Sequence, residues 1–395
     1  MKNKIIAGTF LAMLAVFVIV LSLPADIESI KAENREMSAL PPFTQDTIFS
    51  GEFASGFERC VGDSVGYRSF FTELSKGIES TKGFSPETGR IIATDKDMGT
   101  KNTQKQTLLV SDNTIMEMFV NNPQQEKEYI DIVNKYAQKL PENIKMYSMI
   151  VPTQLSFKEP IYKNLQDDQE KVIADIYKNL DSRITTVDAY SELSQHTDEY
   201  IYFRTDHHWT QRGAYYGYRA FMNAEGGEAV NMDSYEENTI PNMLGGLYDK
   251  VNDPMLVSVP DSLKWFDINS DNHIKTAMYD FDEDGDRMDY NGVMYDRNKI
   301  NYTFFFGCDH PVVEMTNKNK PDGKTLVVIK ESYANALTPW LIESYRKVIM
   351  IDPRIYKADF SKIIDKYSPD EVLITNYIFS TNFKDYCELL SNMYK

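Results

Sequence analysis

The sequence predicts an α/β protein with a doubly wound parallel sheet, one inserted segment and an N-terminal membrane anchor helix. From about residue 105, short apolar runs alternate with amphipathic helical segments, which is the pattern of βαβ units in a parallel sheet. The alternation stops between residues 227 and 300 and then resumes. A long uncharged run lies near the N-terminus. We therefore divide the chain into an anchor or signal segment (1–24), a juxtamembrane stalk (25–104) and a main domain (105–395) with an insertion at about 227–300.

The anchor is predicted from the uncharged run at residues 5–23, which Lys2 and Lys4 precede. Its nineteen residues approach the roughly 20 that cross a bilayer as a helix. The basic flank places the short end in the cytoplasm and residues 25–395 outside. A cleaved signal peptide usually has a shorter apolar core and a small-residue cleavage site, for which Leu23-Pro24-Ala25 is a poor match. We expect a single-pass protein of the cell membrane, or a secreted one if the segment is cleaved.

The stalk includes one amphipathic stretch at residues 51–79. Its apolar residues recur at helical spacing, namely Phe53, Phe57, Val61, Phe70, Phe71 and Leu74.

The main domain gives the clearest strand and helix signals. Its first half predicts a helix from about Gln124, a strand at 146–151, a helix at 172–180, a strand at 184–187 and a helix at 213–222. The last third predicts strands at 326–329, 348–351 and 372–374, with helices from about Asn335 and at 361–366. The continuous apolar run at 326–329 is typical of a strand buried on both faces.

Composition excludes several classes of function. A net charge of −17 opposes binding to nucleic acid or to anionic lipid, because both carry negative charge. The three cysteines have no spacing that predicts a disulfide framework or a zinc site. We expect no cofactor.

The segment Thr205-Asp206-His207-His208-Trp209-Thr210 holds two of the five histidines beside a carboxylate. A base that activates a serine needs an imidazole whose second nitrogen is held by a carboxylate, and Asp206 with His208 can supply both. Two alternatives stay open. Thr210 can cap the following helix, and Asp206, His207 and His208 are all metal-ligand types, although adjacent side chains converge poorly on one ion.

Ser332 is the candidate nucleophile. It follows the apolar strand by two polar residues and precedes a helix, and a strand–turn–helix of this kind exposes a serine hydroxyl at the carboxyl edge of a sheet. An ordinary N-cap is the alternative. Ser64, within Gly62-Asp63-Ser64, is rejected because the preceding residues have a helical period rather than that of a buried strand.

A calcium loop is a weak candidate at Asp280, Asp282 and Asp284, which alternate ahead of Gly285. The twelfth position is Asn291 rather than the bidentate glutamate of such loops. An acidic solvated loop is the preferred interpretation.

These motifs resemble the bacterial DHHW-motif family, which is similar to the SGNH-hydrolase-like alginate O-acetyltransferases. The resemblance rests on Thr205–Trp209 and the block 325–335, and extends to Gly245-Gly246-Leu247, Phe306-Gly307 and the segment 352–356. Two positions depart from the family pattern. Glu331 stands where an aspartate is usual before the serine. After Phe306-Gly307, where a glycine or asparagine is common, this chain has Cys308-Asp309-His310.

The resemblance implies an SGNH-like catalytic domain with a Ser-His-Asp triad. Ser332 would be the nucleophile, His208 the base and Asp206 its orienting carboxylate, with His207 and Trp209 supporting the loop. The oxyanion donors would be the backbone N–H groups of Ser332 and of Gly307 or Cys308. The other site-shaping residues would be Tyr333, Asn335 and Arg354.

The expected function is transfer of an acetyl or other acyl group to hydroxyls of a cell-wall or extracellular polysaccharide. The resemblance also implies a membrane-bound O-acyltransferase partner that supplies the acyl group. A carbohydrate O-acetylesterase and a non-catalytic polysaccharide-binding or scaffold protein of the same fold are the alternatives.

Overall fold

A computed structural model describes residues 39–40, 42–49, 53–54, 56–57, 60–61, 89–94, 106–251, 256, 259–281, 287–290 and 292–394. The predicted anchor at 5–23, the tripeptide with Ser64, most of the stalk, and Asp282 with Asp284 lie outside these residues. Among the residues that are described, no helix is long and apolar enough to cross a membrane. Cys308 and Cys387 are free thiols.

The chain divides into two compact units. The first comprises Met1–Thr88 and Asn252–Val259, and its described part includes the short helix α1 (Gln45–Phe49). The second comprises Gly89–Val251 and Pro260–Lys395.

The second unit alternates strands and helices, as the sequence predicts. Its strands are β1 (Arg90–Thr94), β2 (Gln106–Ser111), β3 (Thr114–Glu117), β4 (Lys145–Val151), β5 (Ile184–Thr186), β6 (Glu237–Met243), β7 (Asp261–Phe266), β8 (Ile274–Phe281), β9 (Arg287–Tyr290), β10 (Val312–Asn317), β11 (Thr325–Lys330), β12 (Lys347–Ile351) and β13 (Glu371–Tyr377). Its helices are α2 (Pro123–Lys139), α3 (Pro160–Lys163), α4 (Gln169–Lys178), α5 (Ala189–Ser194), α6 (Gln211–Glu225), α7 (Gly246–Val251), α8 (Ala334–Leu341), α9 (Ser361–Tyr367) and α10 (Lys384–Met393). Short 3-10 helices lie at Gln154–Phe157, Met232–Ser234, Tyr302–Phe304 and Ile378–Asn382.

The core is an eight-stranded sheet in the order β5-β4-β13-β11-β12-β10-β8-β9. The first five strands are parallel. The connections β4 to β5 and β11 to β12 run in opposite directions across the sheet, so right-handed crossovers put α4 and α8 on opposite faces. Helix packing agrees, because α2 contacts α4 and α10 whereas α6 contacts α5 and α8. The five parallel strands are therefore doubly wound.

The sheet is mixed rather than wholly parallel, which corrects the predicted fold class. Strand β10 pairs antiparallel with β12, and β8 and β9 continue antiparallel beyond it. Strand β9 is exposed along its whole length, as an edge strand with one solvated side can be. Strands β8 and β9 belong to the segment 227–300, so part of the predicted insertion joins the central sheet instead of lying outside it. Strands β6 and β7 form a separate two-stranded sheet.

Buried strand β11 matches the sequence expectation, since all six of its residues are buried. It lies between β13 and β12, at the centre of the parallel part. The residue that follows it therefore emerges at the carboxyl edge of the sheet, where ligands bind in open α/β folds.

Replacement of Gly217 in α6 by alanine tests the packing behind the candidate site. A Cβ there would lie 2.7 Å from two ring atoms of Trp209, which is fully buried. Overpacking costs about 1–3 kcal/mol, and the better helix propensity of alanine returns about 1 kcal/mol. We expect Gly217→Ala to lower the free energy of unfolding in urea by about 1 kcal/mol. If the Trp209 ring causes the loss, the double variant Gly217→Ala/Trp209→Phe should lose less free energy of unfolding than the sum of the losses in the two single variants. Simple additivity would contradict this account.

Candidate active site

Ser332 occupies the turn between β11 and α8, at the carboxyl edge of the sheet. The preceding Glu331 is buried, and its carboxylate accepts hydrogen bonds from the backbone N–H groups of Tyr333 (3.1 Å) and Tyr377 (3.0 Å). These contacts tie the turn to the end of the neighbouring strand β13. Glu331 thus fixes the backbone around the serine.

The loop with Asp206 and His208 follows α5 and does not leave a strand of the central sheet. An antiparallel bridge between Tyr202 and Trp209 closes it. Thr210 then caps α6, since its Oγ1 accepts a hydrogen bond from the N–H of Gly213 at 3.1 Å. The helix-cap interpretation of Thr210 therefore holds beside the other role of the loop.

Trp209 lies behind the loop and joins it to the serine turn. Its side chain is fully buried, and its Nε1–H donates to the carbonyl of Tyr333 at 2.8 Å. The loop and the turn, 124 residues apart in the chain, are thereby held together.

The side chains of Asp206, His208 and Ser332 form a continuous hydrogen-bonded chain. His208 Nδ1 lies 2.6 Å from Asp206 Oδ1, and His208 Nε2 lies 2.8 Å from Ser332 Oγ. An ionised Asp206 accepts from Nδ1–H, which leaves the lone pair on Nε2 for the serine hydroxyl. The hydroxyl also lies 3.2 Å from a carboxylate oxygen of Glu331. The geometry is that of a serine beside an oriented base.

Charge and hydrogen bonds keep Asp206 ionised despite its burial. Burial alone would raise its pKa, but the charge and hydrogen bond of His208, the charge of His207 and the N–H of Gly246 together hold the pKa of Asp206 well below its ordinary value. The Gly246 N–H donates to Oδ2 at 2.9 Å, and the backbone N–H of His208 donates to Oδ1 at 3.0 Å. Both carboxylate oxygens are therefore satisfied.

The glycine pair before α7 approaches Asp206 closely. A Cβ at Gly245 would lie 2.3 Å from the Asp206 Cβ and 2.7 Å from its Cα. The Gly245 N–H donates to Thr205 Oγ1 at 2.9 Å, and the N–H of Thr205 donates to Asp261 at 2.7 Å. A side chain at position 245 cannot fit without displacing the carboxylate.

Tyr302 stacks on the imidazole of His208, with ring centroids 3.6 Å apart and planes inclined by 6°. Burial raises the pKa of Tyr302 well above its ordinary value, so the hydroxyl keeps its proton. It donates to the carbonyls of Ser332 (3.0 Å) and Tyr333 (2.9 Å). One residue therefore contacts both the ring of the base and the serine turn.

His207 makes no hydrogen bond to Ser332 among the described residues, whereas His208 does. Burial, and then the charge of His208, lower the pKa of His207 well below its ordinary value. Ligand atoms of Asp206, His207 and His208 lie within 4.8 Å of one another. A metal ion bound through one ring nitrogen of His208 would displace the hydrogen bond at that nitrogen, so the observed bonding favours the triad.

The oxyanion donors expected from the resemblance, the backbone N–H groups of Ser332 and of Gly307 or Cys308, stay a prediction. Gly307 and Cys308 form no hydrogen bond with the triad side chains in the described part of the chain, and Cys308 lies against His310 instead. The Tyr333 N–H is engaged by Glu331, and the Tyr333 hydroxyl donates to the carbonyl of His207.

Asn335 and Arg354 belong to a partly buried ionic network beside the serine turn. Lys330, the last residue of β11, is 1% exposed and donates to Asp309, Asn335 and Asp352 at 2.9, 2.9 and 3.3 Å. Arg354 donates to Asp309 at 2.7 Å and to Asp352 at 2.6 Å. Burial would raise the pKa of Asp309, but these two cations hold it far below its ordinary value. Arg354 and Asn335 therefore fix the base of the turn and the loop around Asp309.

Sequence reasoning missed Tyr302, Asp309, Lys330 and Asp261. A signal existed for the ionic network, because Lys330 and Asp352 each end or follow an apolar strand of one parallel sheet, where carboxyl ends meet. No local pattern distinguished Tyr302 from the other tyrosines of the chain.

Comparison with known proteins gives one family match. The model of the DHHW protein family matches residues 85–351. No curated protein matches the chain in sequence. A DHHW family protein from Eubacterium siraeum DSM 15702 has a similar solved structure, with 25% sequence identity and a TM-score of 0.64 over 73% of this chain and 96% of that chain.

Two further solved structures are more distant. Bacillus cereus PatB1 with a sulfonyl adduct is 20% identical with a TM-score of 0.58, over 71% of this chain and 97% of that chain. The O-acetyltransferase domain of Pseudomonas putida AlgJ is 15% identical with a TM-score of 0.40, over 71% and 96% of the two chains.

Alanine at Gly245 tests how closely the fold holds Asp206. We expect Gly245→Ala to displace the carboxylate and to reduce the reaction of Ser332 with a serine-directed probe by about 100-fold, since misplacement of about 1 Å can cost that much. Gly246→Ala is the matched control, because its Cβ would meet only Asp206 Oδ2 at 3.9 Å and its N–H is retained. The rate of probe labelling measures both. Equal labelling of the two variants would contradict the close-approach account.

Proposed function

The chain belongs to the DHHW protein family, and from that premise we propose that it is an O-acyltransferase that acetylates hydroxyls of a cell-wall or extracellular polysaccharide. The single observation that carries the proposal is the hydrogen-bonded chain from Asp206 through His208 to Ser332. The family resemblance of the Thr205–Trp209 and 325–335 segments supports the substrate class.

In the first half of the proposed reaction, Ser332 Oγ attacks the carbonyl carbon of the acyl donor. Its proton passes to His208 Nε2, and the ionised Asp206 stabilises the imidazolium that forms. Collapse of the tetrahedral intermediate breaks the bond to the leaving oxygen of the donor, which takes the proton from His208. The product is an ester between the acyl group and Ser332.

In the second half, a sugar hydroxyl attacks the acyl group on Ser332. The hydroxyl proton passes to His208 Nε2 as the new ester bond forms, and Ser332 regains a proton when its own ester bond breaks. Water in place of the sugar gives the esterase reaction through the same steps. Partial exposure of Ser332 favours access by either acceptor.

The acyl donor and the setting are part of the proposal. The apolar run at residues 5–23 behind two lysines supports an anchor with the remainder of the chain outside the cytoplasm. A polysaccharide-modifying domain there needs acyl groups delivered across the membrane, so we infer a membrane-bound O-acyltransferase as partner. The net charge of −17 favours an acceptor without dense negative charge.

The two neighbouring histidines give a matched test of the mechanism. We expect His208→Ala to reduce covalent labelling of Ser332 by a fluorophosphonate or sulfonyl probe by about 10³–10⁴-fold, because the serine loses its base. His207→Ala should retain most of the rate, since its side chain has no bond to Ser332 and its carbonyl remains available to Tyr333. Intact-mass kinetics at neutral pH measure both, with Ser332→Ala as the blank. A larger loss in His207→Ala than in His208→Ala would reverse the assigned roles.

Transferase, esterase and scaffold differ in the fate of an acetyl group. With a chromogenic acetyl ester and a neutral oligosaccharide, a transferase should yield O-acetylated oligosaccharide, detected by mass spectrometry, whereas an esterase should yield acetate alone. A protein that consumes no ester and is not labelled at Ser332 is a scaffold, and this result would refute the enzyme proposal.

A further inference from the structure

The buried carboxyl group of Glu117 takes no part in the proposed mechanism, although it lies close enough to Asp206 and His208 to interact with their charges. Glu117 ends β3 and is 3% exposed. One carboxylate oxygen accepts from the side-chain amide of Gln106, whereas Oε2 is buried with no hydrogen-bond partner among the described residues. A buried carboxyl oxygen without a hydrogen-bond partner lowers the stability of the folded protein. We therefore expect Glu117 to have a functional role.

Two connections join Glu117 to the elements that hold the triad. Strand β3 is bonded to the triad loop, because the N–H of Ile115 donates to the carbonyl of Arg204 at 2.7 Å. Gln106, the partner of Glu117, accepts from Lys250 Nζ at 2.8 Å. Lys250 belongs to α7, the helix whose first residue, Gly246, donates to Asp206.

Charged and titratable groups of several neighbouring elements interact with the charge of Glu117. They include Lys250 in α7 and Asp206 and His208 in the loop. Burial, with the charge of Glu117 added, raises the pKa of Tyr333 in the serine turn and of Tyr377 at the end of β13. An ionised Glu117 therefore adds a negative charge near the imidazole, beside the carboxyl groups of Asp206 and Glu331.

We propose that Glu117 is a positioning residue that makes acyl transfer depend on pH, its carboxylate stabilising the imidazolium form of His208 when ionised and withdrawing that support when protonated. The proposal rests on the proposed function for its effect on rate. Its physical basis is the attraction between a carboxylate and an imidazolium in a site sheltered from water.

The titration range of Glu117 suits this role. Burial raises its pKa to about 7, although the charge of Lys250 and the hydrogen bond from Gln106 oppose the rise. Near neutrality the charge beside His208 changes with small changes in pH.

The same shift predicts a stability effect that does not depend on catalysis. Because the folded-state pKa of Glu117 exceeds that of the unfolded chain, its contribution to stability is fully present below about pH 4.3 and is lost as the pH rises through about 7. Glu117→Gln, which needs no proton, should unfold at a higher temperature than the wild type at pH 8. The two proteins should unfold at similar temperatures near pH 4.3.

The decisive experiment compares the pH dependence of Ser332 labelling in the wild type, in Glu117→Gln and in the control Glu314→Gln. Glu314 lies on β10 and is a half-buried carboxylate paired with Lys347 and Tyr367. None of its described contacts is with the triad. Removal of the Glu117 charge should move the labelling midpoint to lower pH by about half a unit or more and reduce the rate at pH 8.5 by about threefold to tenfold. Glu314→Gln should leave the midpoint where it is in the wild type.

A uniformly lower rate with an unmoved midpoint in Glu117→Gln would overturn the proposal and leave Glu117 a packing role only. If the wild type is not labelled at all, the proposed function fails by itself. NMR titration of the His208 ring signals in the wild type and Glu117→Gln then decides the case for Glu117. A lower midpoint in the variant supports the influence of Glu117 on His208, and equal midpoints refute it.

Discussion

The structure around the site depends on one buried ionised carboxylate, that of Asp206. A carboxylate out of water is stable only where donors and positive charge replace its hydration. Here the donors are the Gly246 N–H, the backbone N–H of His208 and its ring. Because the Gly246 N–H must reach Oδ2, α7 has to begin against the loop, and position 245 has no room for a side chain. The local fold is thus arranged to keep this charge, which in turn orients the imidazole.

The serine side of the site depends on a different balance of charge. Two cations, Lys330 and Arg354, neutralise the partly exposed carboxylate of Asp309 and the buried carboxylate of Asp352 at the carboxyl edge of the central sheet. Each ion is matched, so Lys330 and Asp352 can remain buried without large cost. Trp209 and Tyr302 then join the serine turn to the histidine loop by bonds to the same carbonyl, that of Tyr333. These contacts between the serine turn and the histidine loop fix the geometry of the triad.

The sequence allowed prediction of the parallel strands and the three candidate residues because each leaves a local signal. Strand β11 is uniformly apolar, and Ser332 follows it at a sharp turn. The antiparallel edge formed by β8 and β9 was missed, since an irregular segment gives no sign of which sheet it will join. Glu117 and Tyr302 were also missed, because their role arises from contacts with residues far away in the chain. Local periodicity carries no information on such contacts.

The central claim is that Ser332 carries the acyl group, and direct detection of the acyl-enzyme tests it. The protein would be mixed with an activated acetyl ester, quenched in acid within the first turnovers, digested and mapped by mass spectrometry. The account predicts a single acetyl group on the peptide that contains Ser332, present at early times and absent when His208 is replaced by alanine. Turnover of the ester with the acetyl group on another residue, or with no acetylated peptide at any time, would contradict the account.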